Sequence, residues 1–323
     1  MPAMRSLPAI PRRRSPVLLL GIVYALFVGG ATQAGAGLIV NTNLLAGSAP
    51  GNAAGSGTLQ SVFEAAAQVW RNIFSSTGFT HTLTLNYGWG AQSGTTLAAH
   101  SLTGEGGSPH RETSGQIIFD NDGTSLFFLD GSLDPFHPLT AGNTEYGALV
   151  TSSANFGGGP MNTSRRFGAA TGNASGRTDL FSVALHEIGH ALGMSSANDA
   201  YQAESWPDND IDIAGSFAYA GSALPTNNGA VPATLATSNA HLNIADALLF
   251  PSISTGIRRL PSEADILANA QLSLFTNPIL NLDFSAVPEP GSFALSIVVA
   301  GPWFVVRRRR RSRNVAALRP RDV

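Results

Sequence analysis

The sequence predicts an α+β domain built on a mixed sheet, with long polar loops and one helix that carries the chemistry. Three observations predict it. A helical pattern that starts at Thr58 runs directly into an alternating strand pattern, Thr80 to Tyr87. Two further strand-like runs, Gly115 to Phe119 and Ser125 to Leu129, flank the turn Asp120-Asn121-Asp122-Gly123. Residues 178–193 then form the clearest helix of the chain, with two His one turn apart.

Taken in order, residues 41–58 are rich in Gly, Ala, Ser and Asn and read as a loop. Val62, Phe63, Ala66, Val69, Trp70, Ile73 and Phe74 recur at helical spacing, which places Trp70 in the core. Residues 88–114 are polar and Gly-rich, and 131–175, with Gly157-Gly158-Gly159, read mostly as loop. Residues 200–240 read as loop again. Residues 262–275 read as a closing helix capped by Ser262. No internal repeat and no second domain is visible.

Composition removes several function classes. The 323 residues include 19 Arg and no Lys, with twelve of the Arg confined to the two ends. The stretch 37–290 keeps seven Arg against 20 acids, a formal charge of −13. Phosphate contacts need clustered cations, so nucleic acid is not an expected partner. Absence of Cys excludes disulfides, thiolate zinc sites and Cys nucleophiles together.

Both ends read as addresses. Residues 1–36 have the form of a signal peptide: Arg12-Arg13-Arg14, an apolar run from Val17 to Gly30, then Ala34-Gly35-Ala36. The C-terminus carries Val287-Pro288-Glu289-Pro290-Gly291, an apolar run from Ser292 to Val306, and five consecutive Arg. At about 1.5 Å per residue that run reaches about 22 Å as a helix, short of a ~30 Å hydrocarbon core. This order of Pro-Glu-Pro, apolar run and Arg cluster resembles the PEP-CTERM sorting signal of Gram-negative bacteria. The resemblance implies processing by an exosortase-type sorting enzyme, transient membrane association through the C-terminal segment, and delivery to the cell surface or exterior. The expected organisation is therefore 1–36 signal peptide, 37–286 catalytic domain and 287–323 sorting signal.

The chemistry sits in His186-Glu187-Ile188-Gly189-His190, an H-E-x-x-H motif. Two His four apart on a helix share one face, and their ring nitrogens can reach a single zinc ion (Zn2+). Glu187 lies beside them, placed to take a proton from an attacking water. Chance gives roughly 0.004 such matches for seven His and eight Glu in this length, so the motif is specific. Asp179 or Thr178 can cap this helix and Gly193 can end it.

The motif continues through Gly193, and over 178–194 it resembles the metzincin zinc proteases, whose pattern is H-E-x-x-H-x-x-G-x-x-H. Position 196 is Ser, so the third ligand must lie elsewhere. Ser238-Asn239-Ala240-His241-Leu242 followed by Leu248-Leu249-Phe250-Pro251 resembles the leishmanolysin branch, where an insertion precedes the third His and a Leu-Met-x-Pro turn follows. Leu249 stands where that family has Met. The resemblance implies a metzincin-like fold, zinc held by His186, His190 and His241, Glu187 as catalytic base, and a protein or peptide substrate. Asp199 is the alternative third ligand. A non-catalytic surface or matrix protein on a degenerate protease scaffold is the alternative function. Asp208, Asp210 and Asp212 read as a solvated or calcium-binding loop, and Asp120 to Asp134 as turn chemistry. His81 reads as a strand residue at a rim; His100, His110 and His137 read as loop residues outside the site. Trp89 reads as packing.

Overall fold

The computed structural model describes residues 37–133, 145–206, 208–226 and 240–284. The signal and sorting segments and His137 lie outside the described residues. Among those described, no helix is long and apolar enough to cross a membrane.

Strand β1 (Leu38–Leu44) leads to helix α1 (Leu59–Ile73), then β2 (His81–Gly90), β3 (Ala98–Gly106) and β4 (Arg111–Asp120). The four strands form one sheet in the order β1-β2-β4-β3. β1 and β4 run parallel to β2, while β3 is antiparallel to β4, so the sheet is mixed and β3 is an edge. Thr58 starts α1 through a reciprocal capping box with Ser61. The apolar stripe of α1 then packs on the sheet: Phe63 stacks on Tyr87 at 3.9 Å and meets Phe119 edge-on at 6.1 Å. Trp70 is fully buried and donates its indole N–H to Leu185 O at 3.0 Å, which ties α1 to the chemical helix.

The middle of the chain holds β5 (Phe127–Phe128), the hairpin β6 (Leu149–Asn155) and β7 (Pro160–Phe167), and β8 (Thr178–Asp179). Helix α2 (Leu180–Ala191) follows, then α3 (Asp199–Ser205), β9 (Asp210–Ile213), β10 (Ser222–Pro225), β11 (Arg258–Leu260) and α4 (Glu263–Ser273). Several stretches expected as loop are therefore strand or helix. β1 begins before residue 41 and takes in 41–44. β3 lies inside 88–114, β6 and β7 inside 131–175, and β9 and β10 inside 200–240, whose start α3 overlaps. These segments are short, polar on one face and interrupted by Gly, so tertiary pairing decides them more than local pattern does.

Two clamps fix α2. At its start Asp179 is the N-cap, accepting from Ser182 N at 3.0 Å. At its end Gly193 turns at φ +134°, and Ser273 of α4 donates to Leu192 O at 2.6 Å. The closing helix α4 starts at Ser262, through a capping box with Asp265. Asp265 also accepts from Leu248 N at 3.1 Å and Leu249 N at 2.9 Å. One buried carboxylate thus caps α4 and holds the turn that runs beneath α2. Asp265→Ala should cost about 3 kcal/mol, since it frees two buried N–H groups and a cap together. Denaturant unfolding of the chelator-treated protein measures it.

Candidate active site

His186 and His190 project from one face of α2. Their Nε2 atoms lie 3.0 Å apart. His186 Nδ1 donates to Leu248 O at 2.7 Å, and His190 Nδ1 donates to Met194 O. A carbonyl oxygen only accepts, so each Nδ1 carries the proton and each Nε2 presents a lone pair. Burial, reinforced by the neighbouring His241, pushes the His186 pKa down to about 3. Burial and the adjacent His186 hold His190 well below its ordinary value, and burial takes His241 down to about 3. Two neutral imidazoles then point lone pairs at each other across 3.0 Å with no proton to share. That arrangement is repulsive until a cation sits between them.

His241 completes the group. Its ring centroid lies 5.2 Å from that of His186 and 4.8 Å from that of His190. One nitrogen from each of the three rings falls within 4.8 Å of the other two. His241 Nδ1 is buried and has no hydrogen-bond partner among the described residues. Three convergent nitrogens with an orphaned buried ring atom fit the tetrahedral nitrogen chemistry of zinc. The two carbonyls behind His186 and His190 are the usual outer partners of metal-bound imidazoles.

The turn under the metal face is built as well. Leu249 packs so close to Gly189 that a Cβ there would lie 2.6 Å from Leu249 Cδ2. Leu249 is fully buried, so a branched aliphatic packs directly below α2. Glu187 is 6% exposed and lies beside His100 of β3. Burial raises its pKa to about 7, partly offset by the charge and hydrogen bond of His100. A cleft of about 740 Å³ opens over these groups between the edge strand β3, α2 and the segment after Leu248.

The structure brings His186, Glu187, His190 and His241 together. Asp199, the alternative ligand, is exposed on α3 and pairs with His110 at 2.8 Å, with Glu105 3.7 Å from the same ring nitrogen. Asp210 and Asp212 lie on β9, and Asp208 raises the Asp210 pKa after burial does. Asp120 accepts from Gln92 N and Asp122 N, which is turn chemistry, whereas Asp130 also pairs with the buried Arg258 at 2.8 Å. His81 lies at the start of β2 with Nε2 on Glu112 O, and Trp89 packs against Phe119 and Phe127. His100 is a correction. It lies on β3, its side chain is 4% exposed, and its Nε2 meets Glu112 Oε1 at 2.8 Å. The alternation Ala98, His100, Leu102 was the available signal, blurred by Gly104 and Gly106. Asp265 and Arg258 gave no signal, because their partners are distant in sequence.

No curated protein and no solved structure matches the chain. A family model described as matrixin, a peptidase family, matches residues 54–203, a little under half of the chain. The matched stretch takes in α1, strands β2, β3 and β4 of the mixed sheet and the whole H-E-x-x-H helix, and ends before His241. This similarity and the observed α+β architecture with its mixed sheet together support a metzincin-type metalloprotease.

Proposed function

We propose that this protein is an exported, surface-sorted zinc endopeptidase. The observation that carries the reading is the facing pair of unprotonated Nε2 atoms on α2, joined by His241 at the mouth of a cleft. His186, His190 and His241 would hold the zinc. Zinc bound there supplies a Lewis acid for the scissile carbonyl and lowers the pKa of the attacking water. Glu187 takes the proton from that water on its carboxylate and passes it to the leaving amine. Leu248 O and Met194 O keep the two helical imidazoles in the ligating tautomer.

The substrate is an extended peptide. Strand β3 is a sheet edge that borders the cleft, and an edge offers unpaired backbone groups to a further strand. Export and sorting rest on the composition of residues 1–36 and 287–323, with an exosortase-type enzyme as the processing partner. The third ligand after a long insertion aligns the site with the leishmanolysin branch more than with the matrixin spacing.

The test is metal content with ligand variants. The purified protein should hold one zinc per chain, lose peptide cleavage in a chelator and regain it with one equivalent of zinc. His241→Ala should drop zinc affinity by about 100-fold or more, whereas Asp199→Ala should leave it unchanged. Cleavage that survives complete metal removal would rule out the reading. One zinc with no cleavage of any peptide would favour the non-catalytic scaffold instead.

A further inference from the structure

Arg259 is a buried cation that the peptidase reading leaves unused. It lies in the middle of β11 and is 4% exposed, and its Nε has no hydrogen-bond partner among the described residues. Its partner across the β7–β11 pair is Arg166, a second cation. A buried guanidinium beside a like charge is costly, and an aliphatic side chain would fill this strand position at lower cost. What Arg259 grips has to account for it.

It grips the turn between His241 and the wall of the cleft. Nη1 donates to Ala247 O at 3.1 Å and to Ser252 O at 2.7 Å, and Nη2 donates to Asp246 Oδ1 at 3.2 Å. The other oxygen of Asp246 lies 3.4 Å from Arg166 Nη1, so one carboxylate sits between the two cations. The guanidinium thus bridges two carbonyls on either side of Leu248. Asp265 holds the amide side of the same turn, through Leu248 N and Leu249 N, and Arg259 holds its carbonyl side.

That turn carries what the metal site needs. Leu248 O accepts the Nδ1 proton of His186 at 2.7 Å, and Leu242 N donates to Leu249 O at 2.9 Å, which fixes the backbone next to His241. Ser252 and Ile253 line the cleft. The backbone of Arg259 is tied to α2 itself, since its N–H donates to Ser182 Oγ at 2.7 Å, one helical turn before His186. One residue therefore joins the helix that bears two imidazoles to the turn that orients one of them. The other imidazole lies outside this arrangement, because His190 Nδ1 donates to Met194 O.

We propose that Arg259 is a positioning residue for the metal centre: its guanidinium clamps the carbonyls of the turn so that Leu248 O meets His186 Nδ1, and this aims His186 Nε2 at the ion. Arg259 is not a ligand and acts through Leu248 and His186. Its consequence for zinc rests on the metal-site reading; its consequence for the His186 proton does not.

Two variants loosen the clamp to different degrees. Arg259→Met keeps the stem alone, and Arg259→Lys keeps the charge but cannot span the same acceptors. Zinc affinity of the full folded protein, read by competition with a chromogenic chelator, should fall about 10–100-fold in Arg259→Met and about 3–10-fold in Arg259→Lys. Asp246→Asn leaves both carbonyl contacts in place and should stay within about two-fold of wild type. The second readout is the Nδ1 proton, followed by NMR on protein with 15N-labelled His. In the zinc-free and the zinc-loaded protein alike, the His186 Nδ1 proton should exchange with water about ten-fold faster in Arg259→Met, while that of His190 is unchanged. Should Arg259→Met fail to fold, Arg259→Lys decides, with the His186 proton exchanging at least about three-fold faster. Zinc affinity or His186 exchange that stays at the wild-type value in the Arg259 variants overturns the proposal. So does equal acceleration of both His protons, which marks a merely structural role. If wild type takes up no zinc, the metal-site reading fails, and the contrast between His186 and His190 in the zinc-free protein still decides the role of Arg259.

Discussion

Glu187→Gln should bind one zinc as tightly as wild type and lose peptide cleavage by roughly 10²–10⁴-fold, the usual contribution of a positioned acid–base group. The amide keeps the shape and volume of the buried side chain, so the helix stays in place. What it loses is the ability to take a proton. The carboxylate is buried and its pKa is raised to about 7, so it is a stronger base than an exposed Glu and can return its proton to a leaving amine. The loss should fall on kcat with KM nearly unchanged, because the group acts on a proton in flight and not on the bound peptide. Steady-state kinetics on a fluorogenic peptide, with zinc measured on the same sample, check both halves. Retained turnover with zinc in place would remove Glu187 from the mechanism.

What could be read in the sequence follows from how locally each feature is determined. The helices α1, α2 and α4 were legible because a cap, an apolar period and a stop all lie within one segment, as with Thr58 to Ile73 and Ser262 to Ser273. His186, Glu187 and His190 were legible because one helical turn places them. The edge strand β3 was not, since its identity depends on pairing with β4 through two register shifts and it reads locally as Gly-rich loop. His100 was assigned with it to a loop, and only the pairing shows that its ring points at α2. His241 lies between these cases. The sequence offered it beside Asp199, and a contact between chain segments far apart now sets it next to the α2 imidazoles while Asp199 pairs with His110.

Arg258→Met should destabilise the fold by about 4 kcal/mol, a large part of what a domain has, because it strands buried carboxylates. Arg258 is fully buried and spans two acids. It donates through Nε and Nη2 to the two oxygens of Asp179 at 3.0 and 2.8 Å, and through Nη2 to Asp130 at 2.8 Å. Its guanidinium also lies 4.8 Å from the Tyr146 ring centre and 5.3 Å from that of Phe181. Met matches the apolar length and stacks on the same rings, so the loss isolates the charge. Asp179 would still receive Ser182 N, Ser182 Oγ and the Tyr146 hydroxyl, which limits the damage to the α2 cap. Acid reveals the same pair. Burial pushes the Asp130 pKa up, but Arg258 and Ser132 outweigh it and hold the folded value below the ordinary one. A lowered folded pKa means that Asp130 contributes stability above its unfolded value near 4 and loses it as pH falls through the folded value. Wild type should therefore weaken on acidification below about pH 4, and Arg258→Met should have lost this part of the dependence already. Unfolding with and without zinc separates fold from site. If the clamp serves only the fold, the cost is the same in both forms; if the capped start of α2 also aims His186 and His190, the cost is larger with zinc bound, because the variant then loses metal affinity as well.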